Sequence, residues 1–215
     1  MLFFTSLPSP CSLILLKIIS MSSSGYKIRN KSAVHFITFA VVDWIDVFTR
    51  PVYQNIIVDS LERCQKKRGL ILNGWCLMTN HLHLVGSAQK NDLSSILKDF
   101  KSYTAKSVIR AIHENPYESR KKWMVQKFGE HGQMNSRNQN VQFWQQDNQP
   151  KECFSLPFAM QKINYMHQNP VVAGLVSQAE DYRLSSATNY LMGKYFGLLE
   201  IDVDLTNLSP SFSNF

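Results

Sequence analysis

Two histidines stand either side of one leucine in "TNHLHL", residues 79 to 84, inside an otherwise apolar run. On a β-strand, residues two apart point to the same face. His81 and His83 would therefore face one way and Leu82 the other. Two neutral imidazoles side by side fill a core poorly, because each carries a polar N–H and a lone pair. They make a good half of a divalent-metal site, since both nitrogens converge on one point. A third ligand and open positions would let such an ion polarise a substrate oxygen. The competing reading makes one histidine a hydrogen-bonded core residue and places the other at the sheet edge. The pair alone does not choose between them.

A second group lies downstream, in "QKINYMHQNP". Tyr165 and Asn169 are four apart, one above the other on a single helix face. Gln161 extends that face one turn back, and Gln168 lies three after the tyrosine. A hydroxyl surrounded by amide side chains is unlike a core stripe. It is a candidate nucleophile on a rigid element, with an amide oxygen available to a metal. The plainer alternative packs the ring on a sheet and points the hydroxyl at water.

The elements that must position these residues follow from periodicity. "AVHFITFAVV", residues 33–42, is rich in β-branched and aromatic residues and reads as a strand. A helix follows from Pro51, with Val52, Ile56, Ile57 and Leu61 at helical spacing and Gly69 as its stop. "LILNGWCLMTNHLHLVGSA" reads as two strands joined near Thr79 and Asn80. A second amphipathic helix is capped by Asn91 or Asp92 and ended by Asn115–Pro116. Residues 116–140 are polar and read as a flexible insertion, and "VQFWQQ" as a short final strand. A third helix, bearing Tyr165, closes at Asn169–Pro170, and Gly174 serves the turn after it. The tail carries aromatic anchors that would pack on the body and fades after Asn207. Strand, helix, strand, strand, helix, strand is the order of a ferredoxin-like split βαβ. The expected class is α+β, an antiparallel sheet with helices on one face plus a C-terminal tyrosine-bearing helix. No internal repeat or low-complexity block is present.

Bulk composition narrows the partners. The chain has 215 residues with 44% apolar content, enough for one domain with extensions. Lys+Arg number 23 against Asp+Glu 16, for a net charge of +7. Such a surplus suits polyanionic partners, although many basic proteins have none. A local surplus of +5 falls between Lys98 and Lys127, where a DNA-facing surface and a solvated helix face compete equally. Four scattered cysteines without a CxxC pair exclude a disulfide framework or zinc cluster and suit free thiols in a reducing cytoplasm. The first residues, "MLFFTSLPSPCSLILLKIIS", lack a basic start and an A-x-A-like site. They are also too short and too interrupted to span a membrane. Residues 1–24 are read as a disordered extension and Met21 as the more natural start, with a secretory signal as the alternative.

Together these pieces resemble the single-tyrosine HUH transposases of the insertion-sequence-200-like type, and are most similar to the REP-associated tyrosine transposases. The resemblance spans roughly residues 31–190. It rests on "VHFITFAVVDWIDVFTR", "WCLMTNHLHLV", "FWQQDNQP", "INYMHQNPVVAGLV" and "EDYRLSSATNY" in that order. It implies a transposase domain over 25–195, with the insertion near 116–140 and a tail over 196–215. It further implies that His81 and His83 hold Mg²⁺ or Mn²⁺, that Asn169 completes the metal site, and that Tyr165 is the nucleophile. The activity it implies is cleavage and rejoining of single-stranded, hairpin-containing DNA through a 5′-phosphotyrosine, and so DNA transposition. Lys98, Lys101, Lys106, Arg110, Lys121 and Lys122 would contact the DNA backbone. The protein would be cytoplasmic, off the membrane, and a monomer or homodimer. A domesticated DNA-binding protein that keeps the fold without turnover is the alternative.

Other residues weigh less. Tyr103, flanked by Lys101 and Lys106, is the rival nucleophile, but no amide follows it four residues on. A DNA-facing or packing role suits it better. His167 is on another helix face from Tyr165, which favours a structural or DNA-contact role. His35 reads as a satisfied sheet histidine, and Trp75 and Trp144 as core.

Overall fold

In the computed structural model, residues 28–135, 140–146, 150–193, 195–205 and 208 are described. The extension read at residues 1–24 and the end of the tail lie outside the described residues. Strand β1 (His35–Ala40) leads to helix α1 (Pro51–Arg68), then to strands β2 (Leu70–Leu77) and β3 (His81–Ala88). Helices α2 (Leu93–Glu114) and α3 (Lys121–Gln133) follow, then β4 (Lys151–Glu152), α4 (Leu156–Val172) and α5 (Ala187–Met192). The sheet order is β2-β3-β1-β4, with each neighbouring pair antiparallel. β3 therefore lies between β1 and β2, which is the split βαβ arrangement the element order predicts.

Local chemistry accounts for the boundaries. Pro51 opens α1, where its missing N–H costs nothing, and Gly69 closes it at φ 71°. The β2–β3 turn falls at Thr79–Asn80, as the sequence indicates. Alternation then sorts the strands. Ile37, Phe39, Leu82 and Leu84 point into the larger core, which α1, α2 and part of α3 complete. Phe36, Cys76 and Val85 point the other way, into a smaller core closed by Ala159, Ile163 and Met166 of α4. The tyrosine helix thus covers the face opposite α1 and α2.

Three sequence expectations need correction. The polar stretch read as flexible over 116–140 contains a helix, α3, because Met124, Phe128 and Gly132 form a narrow buried stripe in an otherwise polar surface. "VQFWQQ" makes only a single bridge, Trp144 to Val41, and the fourth strand is Lys151–Glu152. Consecutive Phe143 and Trp144 are both buried in the same core, which the alternating faces of a strand would forbid. Finally, α4 runs two residues past Pro170. It ends where Gly174 at φ 70° lets its N–H reach Val171 O while the Leu175 N–H reaches Pro170 O.

Hydrogen bonds lock α4 to the sheet. The Ser155 hydroxyl accepts from the Phe158 N–H at the helix start. At its far end buried His167 meets Ser186 Oγ through Nε2 at 2.7 Å. That hydroxyl donates to Trp75 O, so the histidine is the donor to Ser186. The tail's aromatic anchors pack as expected: the Tyr182 hydroxyl donates to Leu77 O and the Tyr190 hydroxyl to Asn73 O.

Candidate active site

β3 presents His81 and His83 on the α4 side, with their rings 4.7 Å apart between centroids. Leu82 between them is buried in the opposite core. Each imidazole is fixed at Nδ1. His81 Nδ1 meets Asn80 Oδ1 at 2.6 Å, and His83 Nδ1 meets Thr38 Oγ1 of β1 at 2.8 Å. Neither Nε2 takes part in these contacts. His83 Nε2 is buried and has no hydrogen-bond partner among the described residues. A buried polar atom without a partner calls for an explanation, and a bound ion is one that suits an imidazole lone pair.

Burial shapes the electrostatics. It pushes His83 down to about 3, with His81 adding to the effect. It pushes His81 down to about 4, against the Asp46 carboxylate, which pulls the other way. Both rings are therefore neutral near pH 7, the form that ligates metals.

α4 brings Tyr165 to the pair. Its ring centroid lies 5.6 Å from that of His83, at an interplanar angle of 66°. Phe36 stacks on His83 at 5.3 Å and meets the Tyr165 ring edge-on at 6.3 Å, so the three rings form one cluster. Tyr165 is 53% exposed. Packed rings and an accessible side chain combine the two alternatives left open by the sequence. Asn169, one turn later on the same helix face, is half-buried.

The donor set fits a divalent ion in part. Two imidazole Nε2 atoms with a phenol close by suit Mg²⁺ or Mn²⁺ less strongly than carboxylates would. Among the described residues no group of three His, Cys, Asp or Glu is gathered. Asn169 shares the helix face of Tyr165, one turn on.

Two residues that sequence reasoning missed border this cluster. Trp44, 47% exposed, stands edge-on to His81 at 5.5 Å. Asp43 and Trp44 both have positive φ, 52° and 54°, which side-chain-bearing residues seldom adopt. Only the tertiary contacts that hold this turn could reveal it. Lys162, one turn before Tyr165, places its Nζ 5.7 Å from the Phe36 ring centroid. Its i−3 spacing from the tyrosine was a usable signal.

The basic residues read as DNA contacts are elsewhere. Lys98, Lys101, Lys106 and Arg110 line a groove of 1210 Å³ with Ile37, Phe39 and Trp144. Ile37 and Phe39 mark that groove as lying on the α1–α2 side of the sheet, across from the histidines. Lys121 donates to His113 O at the end of α2, and Lys122 is exposed on α3. Neither lines the groove.

The remaining candidates separate cleanly. Tyr103 lies on α2, away from the histidines, with the Arg63 guanidinium 6.0 Å from its ring centroid. His167 is structural through Ser186. His35 is buried and bonded to Ala33 O, and Trp75 and Trp144 are core.

Fold and site define an α+β protein of ferredoxin-like topology whose central strand sets a histidine pair against a helix-borne tyrosine. The chain belongs to the IS200-like transposases: the family described as "Transposase IS200 like" matches residues 30–146, more than half of the sequence. That match includes the histidine pair and ends before α4. Among solved structures the chain resembles one described as "Structure of the REP associates tyrosine transposase bound to a REP hairpin". The TM-score is 0.52 at 16% identity, over 86% of this chain and 94% of that one, a likeness of fold. No curated protein sequence matches the chain. Among the described residues no helix is long and apolar enough to cross a membrane.

Proposed function

We propose that this transposase cleaves and rejoins single-stranded DNA at the His81–His83–Tyr165 cluster. The reading is carried by one observation: the buried Nε2 of His83, without a partner among the described residues, beside an exposed tyrosine on a rigid helix. His81 and His83, with Asn169, would hold Mg²⁺ or Mn²⁺, which when bound supplies Lewis-acid polarisation of a phosphodiester oxygen.

The chain's own groups account for the rest. The Tyr165 oxygen attacks phosphorus and loses its proton to solvent, to which the half-exposed side chain has access. The P–O bond to the 3′-oxygen breaks, and that oxygen takes up a proton to leave as a 3′-hydroxyl. The product is a 5′-phosphotyrosine. Attack by a 3′-hydroxyl, from the same or another strand, reverses the step. One phosphodiester is exchanged for another, so no nucleoside triphosphate is consumed. Exposed Trp44 at the rim offers an aromatic face on which a flanking base can stack, and Lys162 offers a cation for the backbone. The basic groove across the sheet supplies a second, sequence-independent hold, at Lys98, Lys101, Lys106 and Arg110. A hairpin in the substrate, like the one bound in the similar structure, is part of this reading.

The experiment is incubation with labelled single-stranded oligonucleotides from the gene's flanks, with Mn²⁺ or EDTA, followed by denaturing electrophoresis. We expect a metal-dependent covalent protein–DNA adduct that disappears in Tyr165→Phe. An adduct that survives in that variant would remove Tyr165 as nucleophile. DNA binding without any adduct would favour the domesticated alternative.

A further inference from the structure

A histidine ligates a metal only through a nitrogen that carries no hydrogen, so each ring of the pair needs its proton on Nδ1. For His81 the surrounding atoms decide this. The Asn80 amide has two ends in distinct settings. One meets Trp44 O at 3.1 Å and Asp46 Oδ1 at 3.0 Å. A backbone carbonyl and a carboxylate only accept hydrogen bonds, so that end must be the NH₂ group. The other end is then the carbonyl oxygen, and it faces His81 Nδ1 at 2.6 Å. An amide oxygen only accepts, so His81 Nδ1 carries the hydrogen. Its Nε2 is left with the lone pair.

Asp46 is itself held in place. The Thr79 hydroxyl donates to its Oδ1 at 2.6 Å, and Arg120 donates to its backbone carbonyl at 2.7 Å. Arg120 is anchored in turn by buried Glu118. The polarity of Asn80 is thus dictated by a backbone carbonyl and a carboxylate oxygen that make no hydrogen bond to the histidine. The corresponding contact of His83 lacks this property, because the Thr38 hydroxyl can donate or accept.

We propose that Asn80, oriented by Asp46 and Trp44 O, is a positioning residue that fixes His81 in the Nδ1–H tautomer and so opens its Nε2 to a metal ion. The inference rests on the metal-site reading above and deepens it. Outer-shell partners of metal-bound histidines typically matter 10–100-fold for affinity.

The test reads the tautomer and the metal separately. Long-range ¹H–¹⁵N correlation spectra of the metal-free, ¹⁵N-labelled protein distinguish protonated from bare ring nitrogens, and His81→Gln identifies the His81 signals. Wild type should show His81 protonated at Nδ1. Asn80→Ala should shift it towards the Nε2–H form and weaken Mn²⁺ binding about 10–100-fold by calorimetric titration. The exchanged pair Asn80→Asp with Asp46→Asn keeps an acceptor against His81 and a donor from residue 46 behind it, while Trp44 O loses its donor. It should restore the Nδ1–H signal, which a merely folding-related loss would not do.

An Asn80→Ala protein that keeps the Nδ1–H form and wild-type Mn²⁺ affinity overturns the inference and leaves the metal site standing. A wild-type protein that binds no Mn²⁺ overturns the metal site. The spectra then still decide whether Asn80 sets the tautomer.

Discussion

At the scale of single residues, the site divides labour between atoms that face a ligand and atoms that hold them. His83 Nδ1 is held by Thr38 while its Nε2 is buried without a partner among the described residues. His83→Ala should abolish Mn²⁺ binding in a titration while leaving the far-ultraviolet circular dichroism of the fold intact. Tyr165→Phe should retain Mn²⁺ affinity and lose the covalent adduct. A Tyr165→Phe protein that lost Mn²⁺ affinity together with the adduct would indicate that the tyrosine acts through the fold instead of as the nucleophile.

At the scale of elements, α4 is packed on the sheet through Ala159, Ile163 and Met166, and its far end is pinned to β2 through Ser186. Ser186 Oγ accepts from buried His167 and from the Trp75 N–H. Ser186→Ala leaves a buried imidazole N–H without an acceptor, a loss of about 1–3 kcal/mol. Chemical denaturation should show that loss, and the adduct yield should fall with it as Tyr165 drifts. In the sheet, a Cβ on Gly86 would sit 2.3 Å from the Ile71 carbonyl oxygen. Gly86→Ala should therefore strain the β2–β3 pairing by about 1–3 kcal/mol, visible as a lower Tm. The turn before α3 carries a pH signature. Burial pushes the Glu118 carboxyl up, but its bonds to Arg120 and Arg50 outweigh this and bring it to about 2. A carboxylate lowered on folding contributes stability above its unfolded value near 4.5, lost as pH falls towards about 2. Glu118→Gln should lower the Tm at pH 7 and flatten the acid side of the stability profile across that window.

At the scale of the whole molecule, basic residues stand on both faces of the sheet, Lys98 and Lys106 in the groove and Lys162 beside Phe36 and the tyrosine. The groove lined by Lys98, Lys101, Lys106 and Arg110 is across from the His81–His83–Tyr165 cluster, so the proposed backbone binding and the proposed chemistry are separable. Replacing Lys98 and Lys106 by alanine should weaken single-stranded DNA binding. The slope of log affinity against log salt should become shallower by about 0.7 for every phosphate that these lysines neutralise. Adduct formation at saturating DNA should be unchanged. An unchanged slope would mean that the groove's charges face only solvent.

Much of this protein was legible in the sequence because it is local. Period-two alternation placed His81 and His83 on one strand face, period-four spacing aligned Tyr165 with Asn169, and Pro51, Gly69 and Gly174 marked their boundaries. The order of elements was enough to give the split βαβ sheet. What the sequence could not supply depends on contacts between distant segments. The stripe of α3 was too narrow for its pattern to outweigh polar neighbours, and Phe143–Trp144 resembled a strand until a shared core claimed both rings. Which sheet face α4 would cover, and that the basic groove would lie on the other, emerged only from packing. So did Trp44 at the rim and the Asp46–Asn80 contact that orients His81. A chain fixes the residue types and their periodicity. The direction of a hydrogen bond, or the distance from a tyrosine on one element to a histidine on another, is decided only when burial brings those elements together.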